Sequence, residues 1–183
     1  MALTPSTMVE LGTRAPGFSL NEPLTNRQVS FEDVRGERGT LVMFICNHCP
    51  YVHHVRAELV RLAHDYSEQG IGIVAISSND VENYPDDSPE KMAREARDYP
   101  FPYLYDETQD VARAYRAACT PDFFVYDEHD ELVYRGQLDA TRPGSGTPDG
   151  ADLRAALRAL LAGEKPLEDQ KPSAGCNIKW KPA

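Results

Sequence analysis

The sequence predicts one α/β domain in which helices flank a central mixed sheet, and three consecutive segments carry this prediction. Leu41 to Ile45 is an apolar run without alternation, which is typical of a strand buried on both faces. Apolar residues then recur at three- and four-residue spacing from Val52 to Tyr66, as in an amphipathic helix that Gly70 ends. Ile71 to Ile76 is a second buried run. The order strand, helix, strand predicts a parallel pair joined by a right-handed crossover.

Two further helices have recognisable starting signals. Ser88 followed by Pro89 fits an N-cap and a first helical residue, and it predicts a helix through Glu90 to Arg97. Asp106 with Gln109 three residues later resembles a capping box, and it predicts a helix that continues to about residue 117.

The last third of the chain contains a hairpin, a helix and a tail. Phe123 to Tyr126 and Leu132 to Tyr134 are strand-like and flank a polar turn, which predicts an antiparallel hairpin. A final helix is expected from about Ala151 to Ala162, where Gly163 ends it. We therefore expect a domain over residues 1–163 and a proline-containing tail over residues 164–183 that docks on it.

Charge and composition exclude several classes of partner. The chain has 29 acidic and 19 basic residues and a formal charge of −10, so nucleic acid and anionic membranes are poor partners. Its N-terminus lacks the charged and apolar regions of a secretion signal, which leads us to expect a cytoplasmic protein. In that reducing compartment, four cysteines are expected to be catalytic or metal-binding rather than structural disulfides.

Cys46-Asn47-His48-Cys49 stands at the junction between the first predicted strand and the helix after it. Unpaired N–H groups at a helix start stabilise an anion, so a thiol there has a lowered pKa and reacts as a thiolate. The imidazolium of His48 would favour the same thiolate. We expect Cys46 to be the exposed nucleophile and Cys49 the resolving thiol. The alternative is a pair of small buried side chains, because Cys-x-x-Cys alone is a weak motif that also occurs in zinc sites.

The second candidate element is Cys119-Thr120-Pro121, directly before the strand at Phe123. Proline is tolerated at the first residue of a strand, and its peptide bond can be cis. The order of Cys-x-x-Cys, helix, strand, helix, Thr-Pro, hairpin and final helix resembles the thioredoxin superfamily over most of residues 12–163.

Within that superfamily the chain is similar to the redoxin branch, which includes peroxiredoxins and thioredoxin-like disulfide reductases. Residues 12–20 match the pattern Gly-x-x-Ala-Pro-x-Phe-x-Leu, and residues 44–52 are similar to a peroxiredoxin-like subgroup. The resemblance implies a thioredoxin fold with a redoxin-type N-terminal extension, and a cis-proline loop at Thr120-Pro121 packed against the cysteine pair. It also implies a second assignment, in which Cys49 attacks peroxide and Cys46, standing where peroxiredoxins have threonine, resolves the sulfenic acid.

Three further residues are candidates for supporting roles. Cys119 would lie close to the pair and could exchange with its disulfide, or could join Cys46, Cys49 and His48 in holding Cu(I) or Zn²⁺. Cys176 in the tail is a possible further resolving thiol, and Arg142 in a loop after the last strand could support the thiolate. For each of the three, an inert packing or surface role is the alternative.

These features predict a thiol–disulfide oxidoreductase that needs no cofactor beyond its own redox-active disulfide. Its substrate would be a protein disulfide, and its electrons would come from a thioredoxin- or NADPH-linked reductant. A peroxiredoxin-like thiol peroxidase and a soft-metal binding protein of the same fold are the alternatives.

Overall fold

The computed structural model describes residues 3–183, which form ten strands, five α-helices and two short 3₁₀ helices, Pro85–Asp87 and Ala96–Asp98. The first half of the chain contains β1 (Leu3–Pro5), β2 (Ser19–Glu22), β3 (Arg27–Ser30), α1 (Phe31–Val34), β4 (Gly39–Phe44), α2 (Pro50–Ser67) and β5 (Ile71–Ser77). The second half contains α3 (Pro89–Glu95), β6 (Tyr103–Tyr105), α4 (Asp110–Tyr115), β7 (Cys119–Thr120), β8 (Asp122–Asp127), β9 (Leu132–Gly136), α5 (Ala151–Leu161) and β10 (Ala174–Asn177).

Seven strands form one mixed sheet in the order β3-β2-β6-β5-β4-β8-β9. The central strands β4 and β5 are parallel, with Gly39 opposite Ile71 and Phe44 opposite Ile76, and α2 connects them. On its other side β4 pairs antiparallel with β8, which forms an antiparallel hairpin with β9. The predicted mixed sheet, the parallel crossover unit and the hairpin are therefore all confirmed.

Helices cover both faces of this sheet. Alternate residues of its buried strands therefore belong to two separate hydrophobic cores, one on each face. One core joins Leu41 and Met43 of β4 to residues of α2, α3 and α5, and it also contains Cys46 and Cys49. The other joins Val42 and Phe44 to residues of α1 and α4. All six residues of β4 are buried, as the absence of alternation predicts.

The two predicted helix starts have different outcomes. Ser88 is the N-cap of α3, and its hydroxyl oxygen accepts from the backbone N–H of Lys91, as expected. The predicted capping box at Asp106 is wrong, because α4 begins only at Asp110. Gln109 takes a left-handed conformation, which displaces the helix start. The Asp106 carboxylate instead accepts from N–H groups further along, those of residues 111 and 112.

The C-terminal tail forms part of a second, three-stranded sheet in the order β1-β10-β7. β10 lies antiparallel to β7, with Cys176 opposite Thr120, and β1 pairs with its other edge, where Leu3 is opposite Cys176. The tail thus joins the N-terminal segment to the residues before Pro121. Over residues 3–183, no helix has the length and apolar character needed to cross a membrane.

Candidate thiol site

The cysteine pair lies where β4 ends and α2 begins. Cys49, rather than Cys46, is the N-cap residue of α2, and its carbonyl oxygen accepts from the N–H groups of Val52 and His53. Pro50 occupies the first helical position, where a missing N–H has no cost and the fixed φ suits a helix. The Cys49 sulfur is therefore the one closest to the positive end of an 18-residue helix.

Three groups surround the Cys49 sulfur. Its Sγ lies 2.9 Å from Cys176 Sγ and 3.3 Å from the carbonyl oxygen of Thr120, to which the thiol form donates. Interaction with the Cys46 thiol is the largest influence on the pKa of Cys49 and lowers it. Burial acts in the opposite direction, but donors from Cys176 and Thr120 add to the lowering, and the resulting pKa is about 4. These contacts therefore favour the thiolate form of Cys49.

Cys46 has the opposite properties, so the expectation that it is exposed and has a lowered pKa is wrong. Its relative exposure is 1%, and its Sγ is hydrogen-bonded to the hydroxyl of Thr120 at 3.5 Å. Acting as donor to the Cys49 sulfur raises the pKa of Cys46, and burial raises it further. Both side chains are packed within the same core, and the two residues differ in position, because Cys46 precedes the N-cap residue of α2 whereas Cys49 is that residue.

The two residues between the cysteines are held by a buried carboxylate that the sequence analysis did not identify. Asp87 is fully buried and accepts from the backbone N–H groups of Asn47 and His48, at 2.7 and 3.2 Å. It also contacts His48 Nδ1 at 2.5 Å and accepts from Asn79 Nδ2 at 2.8 Å. No local pattern signals this role, because the carboxylate belongs to a short 3₁₀ helix, Pro85–Asp87, and lies 40 positions from Asn47 in the chain.

Asp87 and His48 shift each other's ionisation. The hydrogen bond to Asp87 raises the pKa of His48, although partial burial opposes it. Burial would raise the pKa of Asp87, but hydrogen bonds from His48 and Asn79 outweigh it and lower that pKa. Asn47 is fixed separately, since its Oδ1 accepts from the hydroxyl of Tyr103 at 2.9 Å.

The turn at Thr120-Pro121 faces this pair, and its peptide bond is cis, as the resemblance implied. Thr120 contacts both sulfurs, through its hydroxyl to Cys46 and its carbonyl oxygen to Cys49. The cis-proline turn is therefore packed against the cysteines.

The third sulfur predicted for the site, that of Cys119, does not join it. The Cys119 thiol is fully buried and donates to the carbonyl oxygen of Pro121 at 3.6 Å, and burial raises its pKa. Cys46, Cys49 and Cys119 do not form a group within 4.8 Å, so the suggested three-sulfur metal site is wrong for the described chain. The reason is that Cys119 makes its own contact on the backbone of the cis-proline turn.

A different set of metal-compatible donors does converge. Ligand atoms of Cys46, His48 and Asp87 lie within 4.8 Å of one another. Two of them are already bonded to each other, His48 Nδ1 to Asp87 Oδ2. The remaining Asp87 oxygen holds the backbone of Asn47 and His48. This carboxylate is thus fully engaged in fixing the loop between the cysteines.

Arg142 does not support the thiolate. Its guanidinium donates to the carbonyl oxygens of Asp139 and Thr141 at 3.0 and 2.7 Å and to Gln137 Oε1 at 2.9 Å. The arginine therefore fixes the loop after β9, and the possible role beside the sulfur is not realised.

Cys176 comes to the site on β10. Its exposure is 2%, and burial is the main influence that raises its pKa, to about 12. The raised pKa favours the protonated form of this side chain, whose sulfur lies 2.9 Å from that of Cys49. Sequence analysis could propose it only as a possible partner, because nothing local fixes where the tail docks.

The mixed sheet, the cis-proline turn and the thiol at the start of α2 define a thioredoxin-fold protein with a cysteine site. The chain belongs to the AhpC/TSA family, whose model matches residues 11–135. Members of this redoxin family are oxidoreductases acting on thiols or peroxides.

Individual relatives agree with this family. The chain is 26% identical over 129 residues to the thiol-disulfide oxidoreductase ResA of Halalkalibacterium halodurans, covering 69% of this chain and 68% of that protein. The crystal structure of an uncharacterized conserved protein from Geobacillus kaustophilus is 56% identical, with a TM-score of 0.97 over 100% of this chain and 98% of that one. The thioredoxin domain of a thiol-disulfide oxidoreductase from Bacteroides vulgatus shares the fold, with 21% identity and a TM-score of 0.58 over 73% of this chain and 90% of that one.

Proposed function

We propose that this protein is a thiol–disulfide oxidoreductase in which Cys46 and Cys49 alternate between dithiol and disulfide, with Cys49 as the attacking thiolate. The observation that carries the proposal is the position of Cys49, which is the N-cap residue of an 18-residue helix and has neighbouring thiols that lower its pKa. A thiolate, not a thiol, is the nucleophile in disulfide exchange.

The proposed reaction has two displacements. The Cys49 thiolate attacks one sulfur of a disulfide RS–SR′, so that a Cys49–SR bond forms and R′S⁻ leaves. Cys46 then gives up its proton and attacks Cys49 Sγ, which forms the Cys46–Cys49 disulfide and expels RS⁻. The substrate gains two electrons and the protein loses two. A thioredoxin- or NADPH-linked reductant would return the pair to the dithiol.

The burial of the site bears on the size of the substrate. Cys46 and Cys49 are 1% and 0% exposed, whereas the ring of His48 between them is partly exposed and stacks on Tyr84 with centroids 5.8 Å apart. A compact disulfide needs less room beside these rings than a folded protein does. A folded protein substrate, which the sequence suggested, would require the tail beside Thr120 to move. We therefore propose low-molecular-weight disulfides as the substrate class.

The same burial favours a second candidate function, reduction of a small hydroperoxide. Here the Cys49 thiolate attacks ROOH, ROH leaves after protonation, and Cys49 becomes a sulfenic acid. Attack by Cys46 on that sulfur releases water and forms the same Cys46–Cys49 disulfide. Hydroperoxide is small enough to reach a buried sulfur, and Cys49 occupies the place of the peroxide-attacking cysteine.

A single-turnover assay tests both candidates. The reduced protein is mixed with 5,5′-dithiobis(2-nitrobenzoate), and we expect each chain to release two thiolate chromophores as its internal disulfide forms. The Cys49→Ser variant should release none through this site, whereas the Cys46→Ser/Cys176→Ser double variant, in which Cys49 has no neighbouring thiol to resolve it, should stop after one. If Cys49→Ser reacts like the wild type, the proposal is wrong. Faster loss of protein thiols with hydrogen peroxide than with the disulfide would select the second candidate.

A further inference from the structure

The tail strand brings a third sulfur into bonding range of the reactive one. Cys49 Sγ and Cys176 Sγ are 2.9 Å apart, and a disulfide needs about 2.05 Å, so small side-chain rotations would close the gap. The pKa of Cys49 is lowered and that of Cys176 is raised, so Cys49 is the more readily ionised of the two thiols.

The position of Cys176 is fixed by backbone contacts on both sides of it. β10 pairs with β7 through Cys176 opposite Thr120, and the N–H of Ile178 donates to the carbonyl oxygen of Ala118 at 3.1 Å. Further along, the N–H of Lys179 donates to Asn79 Oδ1 at 2.9 Å. The sulfur is thus presented by an anchored strand rather than by a free tail.

Gly175 allows this strand to lie close against the cis-proline turn. A Cβ atom at that position would lie 2.0 Å from the carbonyl oxygen of Thr120, a distance that no side chain tolerates. Because the obstacle is backbone, it cannot be relieved by rotating a side chain. The close approach of residue 175 is therefore what seats residue 176 beside Cys49.

We propose that Cys176 is a third redox thiol of this site, and that β10 presents it to Cys49 as an intramolecular disulfide partner. Cys176 loses its proton and attacks Cys49 Sγ of the Cys46–Cys49 disulfide. The Cys49–Cys176 bond forms as the Cys46–Cys49 bond breaks, and Cys46 keeps the electron pair and takes up the proton. No electrons are gained or lost overall. The inference rests on the proposed function, since that reaction supplies the Cys46–Cys49 disulfide.

Besides presenting Cys176, β10 covers a strand edge next to the site. β10 hydrogen-bonds to the Cys119–Thr120 edge, which would otherwise offer its backbone groups to an extended chain. While β10 is seated, that edge is unavailable to an outside polypeptide. β10 then occupies the position that an extended polypeptide substrate would take, and the sulfur of Cys176 occupies the position of the substrate sulfur.

Peptide mapping after controlled oxidation tests the inference on the full chain. The reduced protein is treated with one equivalent of diamide, free thiols are alkylated, and trypsin is added. Cys46 and Cys49 fall in one peptide, residues 39–56, and Cys176 falls in residues 159–179, since lysine before proline is not cleaved. A Cys46–Cys49 disulfide therefore leaves one peptide two hydrogens lighter, whereas a Cys49–Cys176 disulfide joins the two peptides.

We expect both species in the wild type, the joined peptides alone in Cys46→Ser, and no joined peptides in Cys49→Ser. Cys119→Ala, which removes a buried sulfur from the neighbouring strand, is the matched control and should leave the joined peptides unchanged. Gly175→Ala keeps all four cysteines but should abolish the joined peptides. Its circular dichroism and alkylation pattern will show whether the domain remains folded.

The outcomes separate this inference from the proposed function. If the Cys46–Cys49 disulfide forms while Cys176 is always alkylated, the inference is wrong and the proposed function stands. If no disulfide involving Cys49 forms, both are wrong. Joined peptides that persist in Cys49→Ser would assign the bond to Cys46 and would also overturn the inference.

Discussion

The Sγ atoms of Cys49 and Cys176 lie 2.9 Å apart although 127 positions separate the two residues in the chain. Cys49 is the N-cap residue of α2, and Cys176 lies on β10, the last strand of the described residues. Because the tail closes over the helix end, the reactive sulfur is surrounded by protein groups on every side. The site therefore differs from an open dithiol at a helix terminus, and its chemistry depends on contacts between distant segments.

The Asp87→Asn variant should uncouple the loop between the cysteines from its anchor. Loss of the carboxylate removes the largest influence that raises the pKa of His48, so that pKa should fall. NMR titration of the imidazole measures this directly. Asp86→Asn is the matched control, because Asp86 is exposed and pairs with Lys91. An unchanged His48 pKa in Asp87→Asn would contradict the positioning role.

The interaction between His48 and Asp87 stabilises the fold by an amount that depends on pH. The raised pKa of His48 stabilises the fold below about pH 6.5, and this contribution is lost as the pH rises through the folded value. The lowered pKa of Asp87 stabilises the fold above about pH 4. Asp87→Asn should therefore lower the melting temperature more at pH 6 than at pH 9. An equal loss at both values would show that the ion pair contributes nothing.

The Asp122→Asn variant should flatten the pH dependence of stability. Asp122 is fully buried, and burial raises its pKa to about 7 from an unfolded value near 4. The folded state keeps a proton that the unfolded state releases, so stability falls between about pH 4 and 7, at most by about 1.4 kcal/mol per pH unit. Urea unfolding across this range measures the slope. Asp169→Asn, an exposed change, should leave the slope as it is.

Glu58→Ala should destabilise the packing of α5 on α2. Glu58 is 3% exposed, and its carboxylate pairs with Arg154 at 2.6 Å and with Arg61 at 2.8 Å. Removing it leaves a largely buried Arg154 without its main partner, which costs about 3 kcal/mol. Asp65→Ala removes the exposed partner of the same arginine and should cost under about 1 kcal/mol. Similar losses in the two variants, by urea unfolding, would contradict this difference.

Arg142→Ala should leave the reaction of Cys49 unchanged, because every hydrogen bond of its guanidinium stays within the loop over residues 137–142. The rate of thiol release from the chromogenic disulfide is the measurement. A loss comparable to that in Cys49→Ser would place the arginine in the site after all.

The central elements could be predicted from sequence because their signals are local. β4 and β5 are continuous apolar runs, α2 has clear helical spacing, and Ser88 is a true N-cap. The signal at Asp106 was misleading, because the left-handed conformation of Gln109 moved the start of α4. A capping pattern in the sequence specifies the spacing of side chains, but it does not specify the φ angle that each residue adopts.

The site was only partly predictable, because its decisive contacts are not local. The motif identified Cys46 and Cys49, but which sulfur is the thiolate depends on where α2 begins. α2 begins at Pro50, one residue past Cys49, and Cys46 is buried, so the prediction of an exposed Cys46 is wrong. The roles of Asp87 and Cys176 arise from chain segments that meet only in the folded protein.

Titration of the thiolate absorbance in the ultraviolet decides which of the two sulfurs is the reactive thiolate. We expect the reduced wild-type protein to carry a thiolate at pH 7 that is absent from Cys49→Ser and still present in Cys46→Ala, with a higher pKa because the main donor is gone. A thiolate that survives in Cys49→Ser and disappears in Cys46→Ala would show instead that Cys46 is the ionised thiol.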